Sequence, residues 1–302
     1  MARARRPAAT AGPVAFVLSG GGSLGAVQVG QLRALAERGI SADLIVGASV
    51  GSVNGVHAAA EPGLVGVDDL ERLWLETTSS QAFPPAPLDA LLAVVGLRNA
   101  LTTSDPLRRR LEGVLGSRRL EQLPVPAHCV TTDVLNGRTV VLSRGSAVDA
   151  VMASSAIPGV YPPVTVGRHT LMDGGFSENT PVGEAIARAA RRIYVLPTGF
   201  ACSVTDPPRS ALGMVVHALS VLAEQRLINE LGQYQEQADI TVLPPPCPMA
   251  VFPLDFSHTA TLIATGHRLA ARALDGAGPG VSPAAVLAMR HRHRRPLGQR
   301  SA

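Results

Sequence analysis

The chain's strongest constraint on its own fold is a pattern used twice near its start: a short apolar run, a cluster of glycines, then a helical period. Residues 14 to 19 are apolar with β-branched content, Gly20-Gly21-Gly22-Ser23-Leu24-Gly25 follows, and Val27, Leu32, Leu35 and Ala36 then fall on one side of a helix. Gly39 closes that helix. Leu44-Ile45-Val46 opens the second copy, which passes through Gly47-Ala48-Ser49-Val50-Gly51 into a helix-like stretch over 50 to 60. Successive strands separated by helices can only be joined by crossovers, so the pattern predicts a parallel sheet.

Further along, helical patterns are expected at 67 to 77, 87 to 99 and 105 to 116, the last with Ser104 as N-cap and Pro106 in its first turn. Asn136-Gly137 between residues 129 to 134 and 138 to 142 predicts a hairpin, and Gly167-Arg168 a second tight turn. Strands are expected at 193 to 196 and 240 to 243, and helices at 211 to 234 and 259 to 274. Apolar strands alternate with helices and no Ser/Gly-rich linker interrupts them. The expected organisation is therefore a basic, disordered tail over 1–12, a single α/β domain over 13–275 and a basic tail over 276–302.

Composition narrows the function classes. Of 302 residues, 46% are hydrophobic and 17% charged, the balance of a chain that buries a large core. The formal net charge of +4 comes from arginines at the two ends, and aromatics make up only 3%, so neither a basic groove nor a base-stacking platform for nucleic acid is expected. Cys129, Cys202 and Cys247 show no C-x-x-C or His-paired spacing, which predicts neither zinc nor a disulfide framework, and a reducing, cytoplasmic setting follows. His291 and His293 read as part of a solvated tail, so no metal or other cofactor is expected. No apolar window reaches the roughly 18 residues of a membrane-spanning helix.

Three glycine-flanked sites carry the chemistry. The loop from Gly20 to Gly25 opens a helix with bare N–H groups, a setting for negative charge. It also imitates a dinucleotide fingerprint, but Asp43 precedes the second strand instead of ending it, which argues against a ribose contact. Gly47-Ala48-Ser49-Val50-Gly51 sets a serine on a strand-to-helix turn, the position of an exposed nucleophile. Asp173-Gly174-Gly175 adds a carboxylate in what could otherwise be a plain turn. Nucleophile, oxyanion donors and carboxylate are the parts of acyl transfer. The order Ser49, Asp173, His258 would suit a Ser/His/Asp triad, and His57 and His169 are further candidate bases. Ser49 nevertheless follows only the second strand, too early for an α/β-hydrolase.

G-G-G-x-x-G, a G-x-S-x-G two dozen residues later and a distant D-G-G together resemble the patatin-like phospholipase family. Ser104-Asp105-Pro106-Leu107, Thr132-Asp133 before Asn136-Gly137, and Ala153-Ser154-Ser155-Ala156-Ile157-Pro158-Gly159 with Pro162-Pro163 look like the same family. The resemblance implies a three-layer α/β fold with a mostly parallel sheet and helices on both faces. It implies a Ser49–Asp173 catalytic dyad, an oxyanion hole from Gly20, Gly21, Gly22, Ser23, Leu24 and Gly25, an elbow shaped by Gly47, Ala48, Val50 and Gly51, and a D-G-G motif completed by Gly174 and Gly175. Leu24 departs from the Arg or Lys usual before the last glycine of the first motif. The implied activity is cleavage of lipid acyl esters, with peripheral contact to a membrane. An acyltransferase sharing the acyl-enzyme, or an idle lipid-binding module, is the alternative. Residues 83 to 101, with Leu88, Leu91, Leu92, Val94, Val95 and Leu97, read either as an acyl-chain wall or lid or as a core helix.

Overall fold

The two apolar runs form β1 (Val14–Leu18) and β2 (Leu44–Ala48), paired in parallel from Ala15↔Leu44 to Leu18↔Gly47. The computed structural model describes residues 12–84, 86, 92, 97–199, 208–247 and 251–276. The tails expected at 1–12 and 276–302, apart from residues 12 and 276 themselves, and most of the stretch from 83 to 101, lie outside the described residues. The remaining strands are β3 (Ala127–Asp133), β4 (Thr139–Leu142), β5 (Val164–Val166), β6 (His169–Asp173), β7 (Arg192–Leu196) and β8 (Asp239–Val242). They complete one sheet of order β5-β6-β3-β2-β1-β7-β8, with β4 paired to β3. Strands β3, β2, β1, β7 and β8 run parallel, and β4, β5 and β6 form the antiparallel end.

The helices are α1 (Ala26–Ala36), α2 (Val50–Ala60), α3 (Leu64–Leu75), α4 (Ser79–Ala82), α5 (Asp105–Leu115), α6 (Ala147–Ser154), α7 (Gly175–Glu178), α8 (Val182–Ala187), α9 (Ala211–Tyr234) and α10 (Thr259–Leu274). Because successive strand side chains point to opposite faces, β1 feeds two separate apolar layers. Phe16 and Leu18 pack with Ile45 and Leu196 against α1, α2, α3 and α10. Ala15 and Val17 pack with Val46 and Val195 against Val182 of α8 and Leu227 and Leu231 of α9. Burial on both faces is why these strands are continuously apolar instead of alternating. Fully buried side chains such as Leu18, Leu35 and Leu196 each contribute about 1.5–3 kcal/mol by leaving water.

The register around β3 decides where the chemistry assembles. β4 covers one edge of β3 over Cys129 to Thr132, so β2 and β6 must share the other edge. β2 ends there with Ala48↔Val130, and β6 arrives antiparallel with Asp173↔Thr131. Asp173 is thereby delivered one register step beyond Ala48, beside the turn at Ser49.

Several local expectations need correction. Ser104 stands at the N-cap of α5, but its hydroxyl caps nothing; the Thr103 Oγ1 accepts the Asp105 N–H instead. Cys247 is disulfide-bonded while Cys129 is free and buried, because pairing depends on Cα atoms meeting within about 7 Å and not on sequence spacing. The short helices α4, α6, α7 and α8 were not expected from periodicity, being too brief to display one. Among the described residues no helix is long and apolar enough to cross a membrane.

Candidate active site

Ser49 occupies the sharp turn between β2 and α2 with φ 54 and ψ −127, a positive φ rare for a residue bearing a Cβ. The flanking glycines make the turn possible. A Cβ on Gly47 would collide with the Gly51 carbonyl, and one on Gly51 with the Leu18 carbonyl at the end of β1. The strained backbone is held from outside, since the Ser49 N–H donates to Ser154 Oγ at 3.0 Å. Ser154 Oγ in turn donates to the Val130 carbonyl at 2.6 Å. The Ser49 carbonyl accepts from Ser52 Oγ at 2.6 Å, in the first turn of α2.

From this turn the Ser49 hydroxyl donates to Asp173 Oδ2 at 2.5 Å. The second carboxylate oxygen, Oδ1, accepts the Gly175 N–H at 2.7 Å. The Asp173 main chain is fixed as well: its N–H donates to the Ala156 carbonyl at 2.9 Å and its carbonyl accepts from Thr132 Oγ1 at 2.9 Å. Gly174 has no room for a side chain, because a Cβ there would run into the Val130 carbonyl. Asp173 is 3% exposed and Ser49 7% exposed. Burial pushes the Asp173 carboxyl from 3.8 up to about 6, against the Ser49 and Gly175 hydrogen bonds that pull it down. A carboxylate so perturbed is a far better proton acceptor near neutrality than an ordinary one.

The glycine loop lies alongside. Its six N–H groups are not equally free. Gly20 donates to the Asn179 carbonyl at 3.1 Å, Ser23 to the Pro253 carbonyl at 2.7 Å and Leu24 to the Gly21 carbonyl at 3.2 Å. Gly21 and Gly22, at the open start of a 3-10 turn, have no acceptor for their N–H groups among the described residues. The loop is pinned at both ends: Thr198 Oγ1 donates to the Gly20 carbonyl at 2.7 Å, and Asn54 Nδ2 to the Gly25 carbonyl at 3.0 Å. Gln28, buried on α1, donates to the carbonyls of Ser19 and Leu196 and so ties β1 to β7 directly beneath it. Leu24 packs against the apolar core.

The three candidate histidines, His57, His169 and His258, are occupied elsewhere. His57 Nε2 meets the Gly66 carbonyl at 3.0 Å and borders a cavity of about 430 Å³ that includes neither Ser49 nor Asp173. His169 Nδ1 pairs with Asp133 at 2.7 Å, and the half-exposed His258 faces Asp255 at 3.7 Å. Among the described residues no histidine hydrogen bonds to Ser49 or Asp173, and no group of three His, Cys, Asp or Glu side chains is arranged for a metal. Sequence reasoning assigned no role to Ser154, Thr198, Asn179 or Asn54. Ser154 at least stood in a segment resembling the family, and Ser146, whose hydroxyl caps α6 through the Asp149 N–H, was a legible helix start.

A family model described as "Patatin-like phospholipase" matches residues 16–186. Human patatin-like phospholipase domain-containing protein 6 is 31% identical over 192 residues, covering 63% of this chain and 14% of the relative. An uncharacterised NTE family protein of Mycobacterium tuberculosis is 35% identical over 170 residues, covering 56% of this chain and 44% of the relative. The chain thus matches less than half the length of either relative. Among solved structures, human GIVD cytosolic phospholipase A2 in complex with methyl γ-linolenyl fluorophosphonate and terbium chloride is similar in fold. Its TM-score is 0.51 at 13% identity, covering 92% of this chain and 59% of that one.

Proposed function

Because the chain belongs to the patatin-like phospholipase family, we propose that it is a serine acyl hydrolase that cleaves lipid acyl esters through a Ser49–Asp173 dyad. The observation that carries this reading is the 2.5 Å hydrogen bond from the Ser49 hydroxyl to a buried Asp173 with no histidine between them. As Ser49 Oγ attacks the ester carbonyl, its proton passes to Asp173 Oδ2 and the carbonyl oxygen gains negative charge. The free N–H groups of Gly21 and Gly22 are the loop's available donors to that oxyanion, and one such donor is typically worth about 2.7–4 kcal/mol. Collapse of the tetrahedral species breaks the C–O bond, and the departing alcohol takes the proton from Asp173. Water then adds to acyl-Ser49 with its proton going to Asp173, and the carboxylic acid leaves as Ser49 recovers its hydrogen.

The catalytic unit on this reading is residues 13–275, because one sheet draws strands from β1 to β8 although the family match ends at residue 186. The substrate is a lipid or fatty-acyl ester met at a membrane surface or in dispersed form, and no cofactor takes part. The test is labelling of the purified chain with a fluorophosphonate, mapped by peptide mass. Label on Ser49 and loss of p-nitrophenyl butyrate hydrolysis in Ser49→Ala are expected. Label on another serine, or full activity in Ser49→Ala, overturns the assignment.

A further inference from the structure

One side chain at the dyad has no hydrogen-bond partner among the described residues. Asn179 lies between the three glycine-bearing motifs. Its Oδ1 stands 2.5 Å from where a Cβ on Gly20 would sit, with Ser49 Cβ 3.1 Å from that same point. On its other flank it stands 2.9 Å from where a Cβ on Gly175 would sit, with Asp173 Oδ1 at 3.1 Å. The backbone is anchored, since the Asn179 carbonyl accepts the Gly20 N–H at 3.1 Å. The carboxamide, by contrast, makes no hydrogen bond among the described residues and is only partly buried. The neighbouring polar side chains Ser49, Asp173, Ser154 and Thr198 are all hydrogen-bonded to protein.

An ester offers acceptors only, its carbonyl and alkoxy oxygens, so the complementary end of the amide is its NH₂. Amide oxygen and nitrogen exchange places by a half-turn about the terminal bond, which the same space accommodates. We propose that Asn179 is a substrate-contacting residue whose Nδ2–H donates to the carbonyl oxygen of the bound acyl ester as that oxygen gains charge, alongside the Gly21 and Gly22 N–H groups. A donor of this kind acts on the transition state more than on the ground state, so its loss should appear in kcat and leave KM nearly unchanged. The two bare glycines on either side have a reason in this arrangement, because a side chain at position 20 or 175 would displace the amide. This inference rests on the acyl-hydrolase reading.

The test is steady-state hydrolysis of p-nitrophenyl butyrate by the purified full chain, Asn179→Ala and the isosteric Asn179→Asp, with Ser49 labelling by a fluorophosphonate run in parallel. Asn179→Ala is expected to lose about a hundredfold in kcat with KM within about threefold, and its labelling to slow in step. Asn179→Asp keeps the shape but presents acceptors only, and is expected to be equally slow at pH 8. A kcat within about twofold of wild type in either variant, or a loss confined to KM, overturns the inference while Ser49 labelling leaves the dyad standing. If wild type labels elsewhere than Ser49, the dyad and this inference fall together.

Discussion

The hydroxyl of Ser154 accepts the backbone N–H of Ser49 at 3.0 Å, joining the positive-φ turn to the end of a helix 105 residues further along the chain. Ser154 is fully buried and donates its own hydroxyl hydrogen bond to the Val130 carbonyl, so one side chain ties the Ser49 backbone to β3, the strand that also receives Asp173. A strained turn persists only when its surroundings over-determine it, and this contact restrains the Ser49 backbone from a distant part of the chain.

Ser154→Ala should therefore leave the Ser49 N–H buried without an acceptor. The expected cost is about 1–3 kcal/mol of stability, with kcat falling more than KM rises as Ser49 loses its fixed position. Thermal unfolding and ester hydrolysis measured on the same preparation check both parts. An unchanged Tm would remove Ser154 from this role.

The raised pKa of Asp173 ties activity to pH in one direction and stability in the other. On the proposed mechanism Asp173 acts as base only when ionised, so kcat/KM should rise with pH through about 6 and level off above it. For stability the native carboxyl holds its proton up to about 6, whereas the unfolded one releases it near 3.8, so stability falls as pH rises across that window. Asp173→Asn carries no such titration. It should be inactive yet more stable than wild type at pH 8, by up to about 3 kcal/mol at roughly 1.4 kcal/mol per unit, with the difference vanishing below pH 4. Its amide can still accept from Gly175 and donate to Ser49 Oγ. Chemical denaturation at pH 8 and pH 4 is the measurement, and a variant less stable than wild type at pH 8 would contradict the burial argument.

Thr198 holds the glycine loop by donating to the Gly20 carbonyl, and its side chain fills the space a Cβ on Gly21 would take. Thr198→Val keeps that shape and removes the donor. With a net hydrogen bond worth about 0.5–1.5 kcal/mol, kcat should fall by roughly tenfold at most, and Thr198→Ser should recover most of it. A Val variant as fast as wild type beside a slower Ser variant would show that the methyl, and not the hydroxyl, positions the loop.

Much of the frame was legible in the residues because it rests on local rules. The strand–glycine–helix units at 14 to 36 and 44 to 60 follow from apolar period and from glycine's freedom. Gly39 at φ 64 ends α1 and Gly137 at φ 70 turns the β3–β4 hairpin, as their neighbours required. The short helices α6 and α7 show no apolar period; Ser146 marks where α6 starts, but nothing local shows that its last residue, Ser154, meets the Ser49 turn.

What the sequence determined by itself was a parallel α/β core and three glycine-flanked segments whose side chains suit acyl transfer. Tertiary structure alone decided that two of them meet: β4 fills one edge of β3, so β6 must enter on the edge already held by β2 and bring Asp173 to Ser49. It also decided which N–H groups of the glycine loop stay free among the described residues, how strongly Asp173 holds a proton and that the Asn179 carboxamide lies between the motifs with no hydrogen bond among the described residues. Strand register, burial and hydrogen-bond competition depend on residues more than a hundred positions apart, and no local pattern encodes them.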